Sequence, residues 1–164
     1  MIDKVYNVLF VCTHNSARSI MAEGILNSLG RGRFRGFSAG SHPGTAVHPL
    51  ALKTLSSLNI PTDGFRSKDW DEFARPGAPE LDFAFTVCDK AAGETCPVWP
   101  GQPMTAHWGV VDPATVEGTQ EQKDKVFWDT AVILKRRIEL MLALPFASLD
   151  KMSVQREVRN IGSR

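Results

Sequence analysis

Val5-Tyr6-Asn7-Val8-Leu9-Phe10-Val11-Cys12-Thr13-His14-Asn15-Ser16-Ala17-Arg18-Ser19-Ile20-Met21 passes from an apolar strand through a polar turn into a helix. Val5 to Val11 is rich in β-branched and aromatic residues, as a strand buried in a sheet requires. Ala17, Ile20, Met21, Gly24, Ile25 and Leu29 recur at helical spacing, and Gly30 supplies a stop. Cys12 and Arg18 bracket the turn, with five polar or small residues between them. A turn of this kind aims successive backbone N–H groups, and the positive end of a helix, into one concavity that suits a tetrahedral oxyanion. The oxyanion-binding candidates are therefore Thr13, His14, Asn15, Ser16, Ala17, Arg18 and Ser19. Arg18 offers a planar fork for two anion oxygens, and Ser19 can donate its hydroxyl to the Cys12 sulfur. Such surroundings are expected to lower the thiol from about 8.5 to somewhere around 3.5–7.5. Cys12 would then be an activated nucleophile with no histidine base. A structural Cys12 with Arg18 in a surface ion pair leaves the five intervening residues unexplained.

Outward from this turn, strands and helices alternate. Arg33 to Ser38 is a second strand, and Val47, Ala51, Leu55 and Leu58 mark a second helix ended by Asn59 and Pro61. Trp70, Phe73 and Ala74 suggest a short third helix after Ser67. Leu81 to Val87 is a third strand leading into Cys88, and Met104 to Trp108 a fourth. Phe127, Ala131, Leu134, Ile138 and Met141 stripe a long helix from about Thr119 to before Pro145. The pattern predicts an α/β fold with a parallel sheet covered on both faces. One domain is expected over 1–164, with a C-terminal extension from about 145 to 164 that caps the sheet edge and carries little functional weight.

The chain's 164 residues suffice for one core, and 43% hydrophobic with 23% charged residues is a globular composition. A net charge of +1 gives no reason to expect nucleic acid or a membrane surface as partner. No apolar run approaches the roughly 18 residues of a membrane span, and Val5–Val11 is too short for a signal peptide. A cytoplasmic location is expected, where three cysteines are thiols rather than a disulfide framework. No metal site is expected: Cys88 and Cys96 lack the Cys-x2–4-Cys spacing and paired ligands of zinc. No cofactor is implied.

The run Val8 to Ser19 with Met21-Ala22-Glu23 resembles the low-molecular-weight protein tyrosine phosphatases and the arsenate reductases built on their fold. Phe37-Ser38-Ala39-Gly40, Thr86-Val87-Cys88-Asp89, and His107-Trp108-Gly109 with Asp112-Pro113-Ala114 extend the resemblance from Val5 to about Leu144. It implies a three-layer domain with four parallel strands in flavodoxin-like order 2-1-3-4 and the anion loop at the switch point. It also implies that Asp112 lies on a loop over the site as general acid. In the implied order Cys88 lies beside the strand that carries Cys12.

Both activities begin with thiolate attack on an oxyanion, and the cysteines separate them. Reducing arsenate to arsenite takes two electrons from thiols, whereas a phosphatase needs only Cys12, Arg18 and Asp112. The reductase reading is a relay: Cys12 attacks arsenate, Cys88 attacks the Cys12 sulfur, and Cys96 moves the disulfide to Cys88–Cys96, where thioredoxin could reduce it. Glutaredoxin with glutathione is the alternative donor, and phosphate or sulfate would mimic the substrate. Ala114 beside Asp112-Pro113 suits a small anion better than an aryl ester. Trp99 and Trp108 could line the entrance, though core packing is the readier role. A non-catalytic oxyanion or redox sensor is a third reading, for which Asp112 and an activated Cys12 would be superfluous.

His14 stands where the family often has glycine and is expected in an ordinary backbone conformation, while Asn15 suits left-handed geometry. Thioredoxin-linked relatives can hold potassium beside this loop. Asn15, Glu23 and Ser38 match three of its ligands, and Lys68 takes the fourth place, so its ammonium is expected instead of the ion. A one-residue shift would make Asp69 the ligand.

Overall fold

The computed structural model describes residues 4–44, 46–89, 93, 99 and 101–164. Its sheet runs in the order β2-β1-β3-β4, with every neighbouring pair parallel. The strands are β1 (Tyr6–Cys12), β2 (Phe34–Gly40), β3 (Phe83–Thr86) and β4 (Met104–His107), and the α-helices are α1 (Arg18–Leu29), α2 (Pro49–Ser57), α3 (Gln120–Leu142) and α4 (Lys151–Ile161). This is the α/β, three-layer arrangement and the strand order that the resemblance implied.

β1 lies between β2 and β3, and Val8 to Val11 are all but fully buried there. Their unbroken apolar run is what a strand covered on both faces requires. α1 packs against α2 and α3, and α4 lies along β4. Thr119 starts α3 through a capping box with Gln122, which offsets two otherwise orphaned N–H groups.

Several elements differ in extent or type from their sequence reading. The third strand ends at Thr86 rather than Val87, because β4 leaves the ladder after His107. Trp108 therefore lies outside β4. The segment after Ser67 is a 3-10 turn, Trp70–Ala74, with Asp69 capping the Asp71 N–H at 2.8 Å. That turn is too short to close α-helical bonds and buries only Trp70 and Phe73. The C-terminal segment does cover the sheet edge, as a helix with Val154, Val158 and Ile161 buried.

Trp108 is the keystone between these layers. It is fully buried, stacks on Phe85 with ring centroids 4.1 Å apart and 13° between planes, and donates from Nε1 to the Val158 carbonyl at 2.8 Å. Trp108→Ala is expected to cost about 3–5 kcal/mol in urea unfolding, a large share of the roughly 5–15 kcal/mol available to a domain. A midpoint close to wild type at unchanged slope would contradict this packing role.

Candidate active site

The anion loop occupies the C-terminal edge of the sheet, between β1 and α1. Cys12 ends β1 and is 3% exposed. Its sulfur lies 2.8 Å from Ser19 Oγ and accepts the Asn15 N–H at 3.3 Å. Asn15 Nδ2 in turn donates to Ser19 Oγ at 2.8 Å. With that acceptor occupied, the Ser19 hydroxyl proton is directed at the sulfur. Asn15 has a φ of +51°, the left-handed geometry an Asn tolerates better than most residues. His14 has no such strain, and its Nδ1 lies 3.1 Å from the His42 carbonyl. α1 starts after Ala17 with no side-chain cap, so its first N–H groups keep their capacity for a ligand.

The thiol itself departs from expectation. Burial pushes Cys12 above its ordinary value, the Ser19 hydroxyl and the Ser19 and Asn15 N–H groups oppose that push, and nearby Cys88 adds to it. This direction runs against the lowered thiol expected from the sequence. The physical reason is burial of the sulfur, and Arg18 is turned to the neighbouring loop. Its Nη1 donates to the Val110 carbonyl at 3.0 Å and its Nη2 lies 3.6 Å from Asp112 Oδ2, so the guanidinium is spent on the neighbouring loop. Asp112 also accepts the Ala114 N–H at 3.0 Å.

Cys88 lies just beyond the end of β3. The Val87 N–H bonds the Val11 carbonyl at 2.8 Å, which sets Cys88 alongside Cys12 at one edge of the sheet. Its sulfur is 3.4 Å from Thr13 Oγ1, and the residue is 2% exposed. Cys96 lies outside the described residues. Trp99 is buried, edge-on to Trp70 and bonded to the Trp70 carbonyl, so Trp99 and Trp108 are packing residues.

Lys68 sits below the loop. Its Nζ donates to the Ser38 carbonyl at 2.9 Å and lies 3.4 Å from both Asn15 Oδ1 and Ser38 Oγ, with Glu23 Oε1 at 3.8 Å. The Lys68 N–H donates to Asn15 Oδ1 at 3.0 Å, and Ser38 Oγ donates to Glu23 Oε1 at 2.5 Å. Asp69, turned to its own 3-10 cap, takes no part. Burial pushes Lys68 down and Glu23 up from their ordinary values, and each partner opposes the other's shift.

These shifts fix the sign of a pH effect. A carboxyl raised on folding contributes stability that is full below its unfolded value and lost as pH rises through its folded value. Glu23→Gln is therefore expected to remove a component of stability that falls as pH rises above the ordinary carboxylate range. Lys68→Met should enlarge it, since Glu23 then loses its cation. Urea midpoints across that window check both; identical slopes in all three proteins would refute the assignment.

Two supports escaped the sequence reading. Residues 41–44 and 46–48 lie against the loop, with Ser41, His42, Gly44 and His48 N–H groups on the carbonyls of Cys12, Thr13, His14 and Ser16. Ser67 Oγ donates to the Asn15 carbonyl at 2.7 Å. Ser41-His42-Pro43-Gly44 was the available signal, a turn composition directly after a strand. Gly40 is fixed by close approach: a Cβ there would lie 2.6 Å from the Thr13 carbonyl oxygen.

Comparison with known proteins places this geometry. The family described as low molecular weight phosphotyrosine protein phosphatase matches residues 7–157. An arsenate reductase of Halalkalibacterium halodurans is 36% identical over 120 residues, 73% of this chain and 83% of that protein. A glutaredoxin arsenate reductase of Synechocystis sp. is 30% identical over 136 residues, 83% of this chain and 95% of its own. Among solved structures, an arsenate reductase in a phosphate-binding state superposes with a TM-score of 0.64 at 29% identity, covering 84% of this chain and 97% of that one. A low molecular weight protein tyrosine phosphatase from T. tengcongensis gives 0.61 at 26%, covering 82% and 95%.

Proposed function

The chain belongs to the low molecular weight phosphotyrosine protein phosphatase family, and within that family we propose that it reduces arsenate to arsenite by a relay of thiols. The observation that carries this reading is the second buried sulfur: Cys88 sits against Thr13, the residue after the nucleophile. Hydrolysis of a phosphate ester has no use for it. The relatives named arsenate reductase support the same choice.

Cys12 attacks arsenic, Asp112 protonates the departing oxygen, and that oxygen is lost as water, so that Cys12 carries a thioester of arsenic(V). Cys88 then attacks the Cys12 sulfur. The S–As bond breaks with its electron pair passing to arsenic, which departs as arsenite, and a Cys12–Cys88 disulfide remains. Attack by Cys96 on Cys88 returns the Cys12 thiol and leaves Cys88–Cys96 for an external dithiol. The Cys12 proton passes to an acceptor as the sulfur attacks. Dianionic arsenate brings the acceptor oxygens with it. Arg18 must also turn from Val110 to the anion, where its fork matches two oxygens. Asn15, Glu23, Ser38 and Lys68 hold the loop's shape, with the Lys68 ammonium as internal cation in place of a metal ion.

Thioredoxin is the donor this scheme favours, in a cytoplasmic setting; glutaredoxin with glutathione is the alternative. The test is arsenate-dependent NADPH oxidation with thioredoxin and its reductase, run beside glutathione with glutaredoxin and beside an aryl phosphate. Arsenate turnover with the thioredoxin system is expected. Turnover with glutathione alone would change the donor. Hydrolysis of the ester with no arsenate turnover would make this a phosphatase using Cys12, Arg18 and Asp112.

A further inference from the structure

Arg137 plays no part in the thiol relay, yet the fold buries it to 8% exposure. It projects from α3 on the apolar face that carries Leu134, Ile138 and Met141. Nη1 donates to the carbonyls of Trp108 and Gly109, each at 3.0 Å, and Nε donates to the Arg164 carbonyl at 3.1 Å. Burial pushes the guanidinium down from its ordinary value, and main-chain oxygens are what hold it. A buried cation is costly, so its position calls for a reason.

The reason lies in the chain just beyond those two carbonyls. Gly109 leads into Val110, whose carbonyl takes Arg18 Nη1, and then to Asp112, whose carboxylate faces Arg18 Nη2. The N–H groups of this segment are held from the other side, Trp108 on the Thr86 carbonyl at 2.7 Å and Val110 on the Val87 carbonyl at 3.1 Å. β3 and the residue after it thus fix the amides, and Arg137 fixes the carbonyls. Past Val110 the chain emerges, with Val111 81% exposed. Arg137 grips the two carbonyls just before Val110. Gly109 itself is confined, since a Cβ there would meet His107 Nε2 at 2.5 Å.

We infer that Arg137 is a positioning residue for the proposed reaction: it holds the Trp108–Gly109 backbone so that Asp112 and the Val110 carbonyl reach Arg18 in one geometry. This rests on Asp112 acting as the acid. A fork that serves two adjacent carbonyls and a third cannot be copied by a lysine, whose ammonium is a point charge. The arginine signal was available in the sequence, as a charge at the i+3 place of an apolar helical stripe.

The test is a double-mutant cycle on the single-turnover rate of arsenate reduction. Arg137→Met should slow that rate by about tenfold or more while changing KM for arsenate less than about threefold. Arg137→Lys, which keeps the charge and safeguards the fold should the Met variant not fold, should show an intermediate loss. In an Asp112→Asn background the same substitutions should change the rate less than about twofold, because a misplaced acid no longer matters. Losses that multiply in full with Asp112→Asn would overturn the inference and leave the acid role of Asp112 standing, and a wild-type rate in both Arg137 variants would do the same. A wild-type rate in Asp112→Asn alone would remove the acid, and the inference with it.

Discussion

Cys12→Ser is expected to lower arsenate reduction by at least about 10⁴-fold, to the background of the coupled assay. Serine keeps the shape and can keep the hydrogen bonds, since its hydroxyl fits between Ser19 Oγ and the Asn15 N–H that now hold the sulfur. What it loses is chemistry. An alkoxide is inaccessible at neutral pH, and an oxygen bound to arsenic cannot be taken up by a second thiol as a disulfide. Both halves of the reaction therefore stop at one substitution. Because the backbone N–H groups and Arg18 are untouched, phosphate should still raise the melting temperature of the variant, by linkage to the folded state. The pairing of lost turnover with retained anion binding makes the prediction specific. Arsenate turnover above about one-hundredth of wild type would remove Cys12 from the role of nucleophile.

The anion loop is the part of this protein most open to reading in advance, and the reason is locality. Strand, turn and helix onset from Val5 to Met21 depend on neighbours in sequence, so periodicity and turn chemistry suffice. The electrostatics of Cys12 do not. A short list of N–H donors around a thiol argues for a lowered value, but burial by long-range partners reverses it: Gly40 on β2 abuts the loop, and Cys88 beyond β3 adds its own push. Arg18 is the sharper case. Its place in the motif suggests an anion clamp, yet Val110 and Asp112, far along the chain, are what its guanidinium meets.

The C-terminal segment shows the same limit in packing. Leu149, Met152, Val154 and Val158 indicated some apolar face, and a cap on the sheet edge is what α4 provides. Its link to the site is through Trp108, whose indole bonds the Val158 carbonyl just before the acid loop begins. Gly162 tightens that link, for a Cβ there would lie 2.1 Å from the His107 carbonyl oxygen. No spacing within 145–164 announces a partner at His107 or Trp108. The Lys68 ammonium is intermediate: the resemblance supplied the position, and the fold supplies the acceptors on Asn15 and Ser38.

Cys88→Ser separates the reductase from the phosphatase, and its expected effect is nearly as large. With the second thiol gone, Cys12 can still attack arsenate and Asp112 can still release water, but among the described residues no other thiol then stands beside the Cys12 sulfur. Without attack by another thiol the adduct can only revert. Arsenite release should fall by at least about 10³-fold in single turnover, with no burst, because electron transfer to arsenic occurs at the step that serine cannot perform. The substitution is close to isosteric at a 2% exposed site, and a hydroxyl there retains the capacity to bond Thr13 Oγ1, so wild-type phosphate binding is the control for folding. Adding millimolar glutathione discriminates further. Recovery of arsenite release would mean that a small thiol can reach the Cys12 adduct, which identifies the glutathione route as chemically open in this fold. No recovery would mean that the adduct is sealed and that only an internal sulfur resolves it. Arsenite release at the wild-type rate without any added thiol would refute the relay, since the two electrons would then have to come from somewhere other than the Cys12–Cys88 pair.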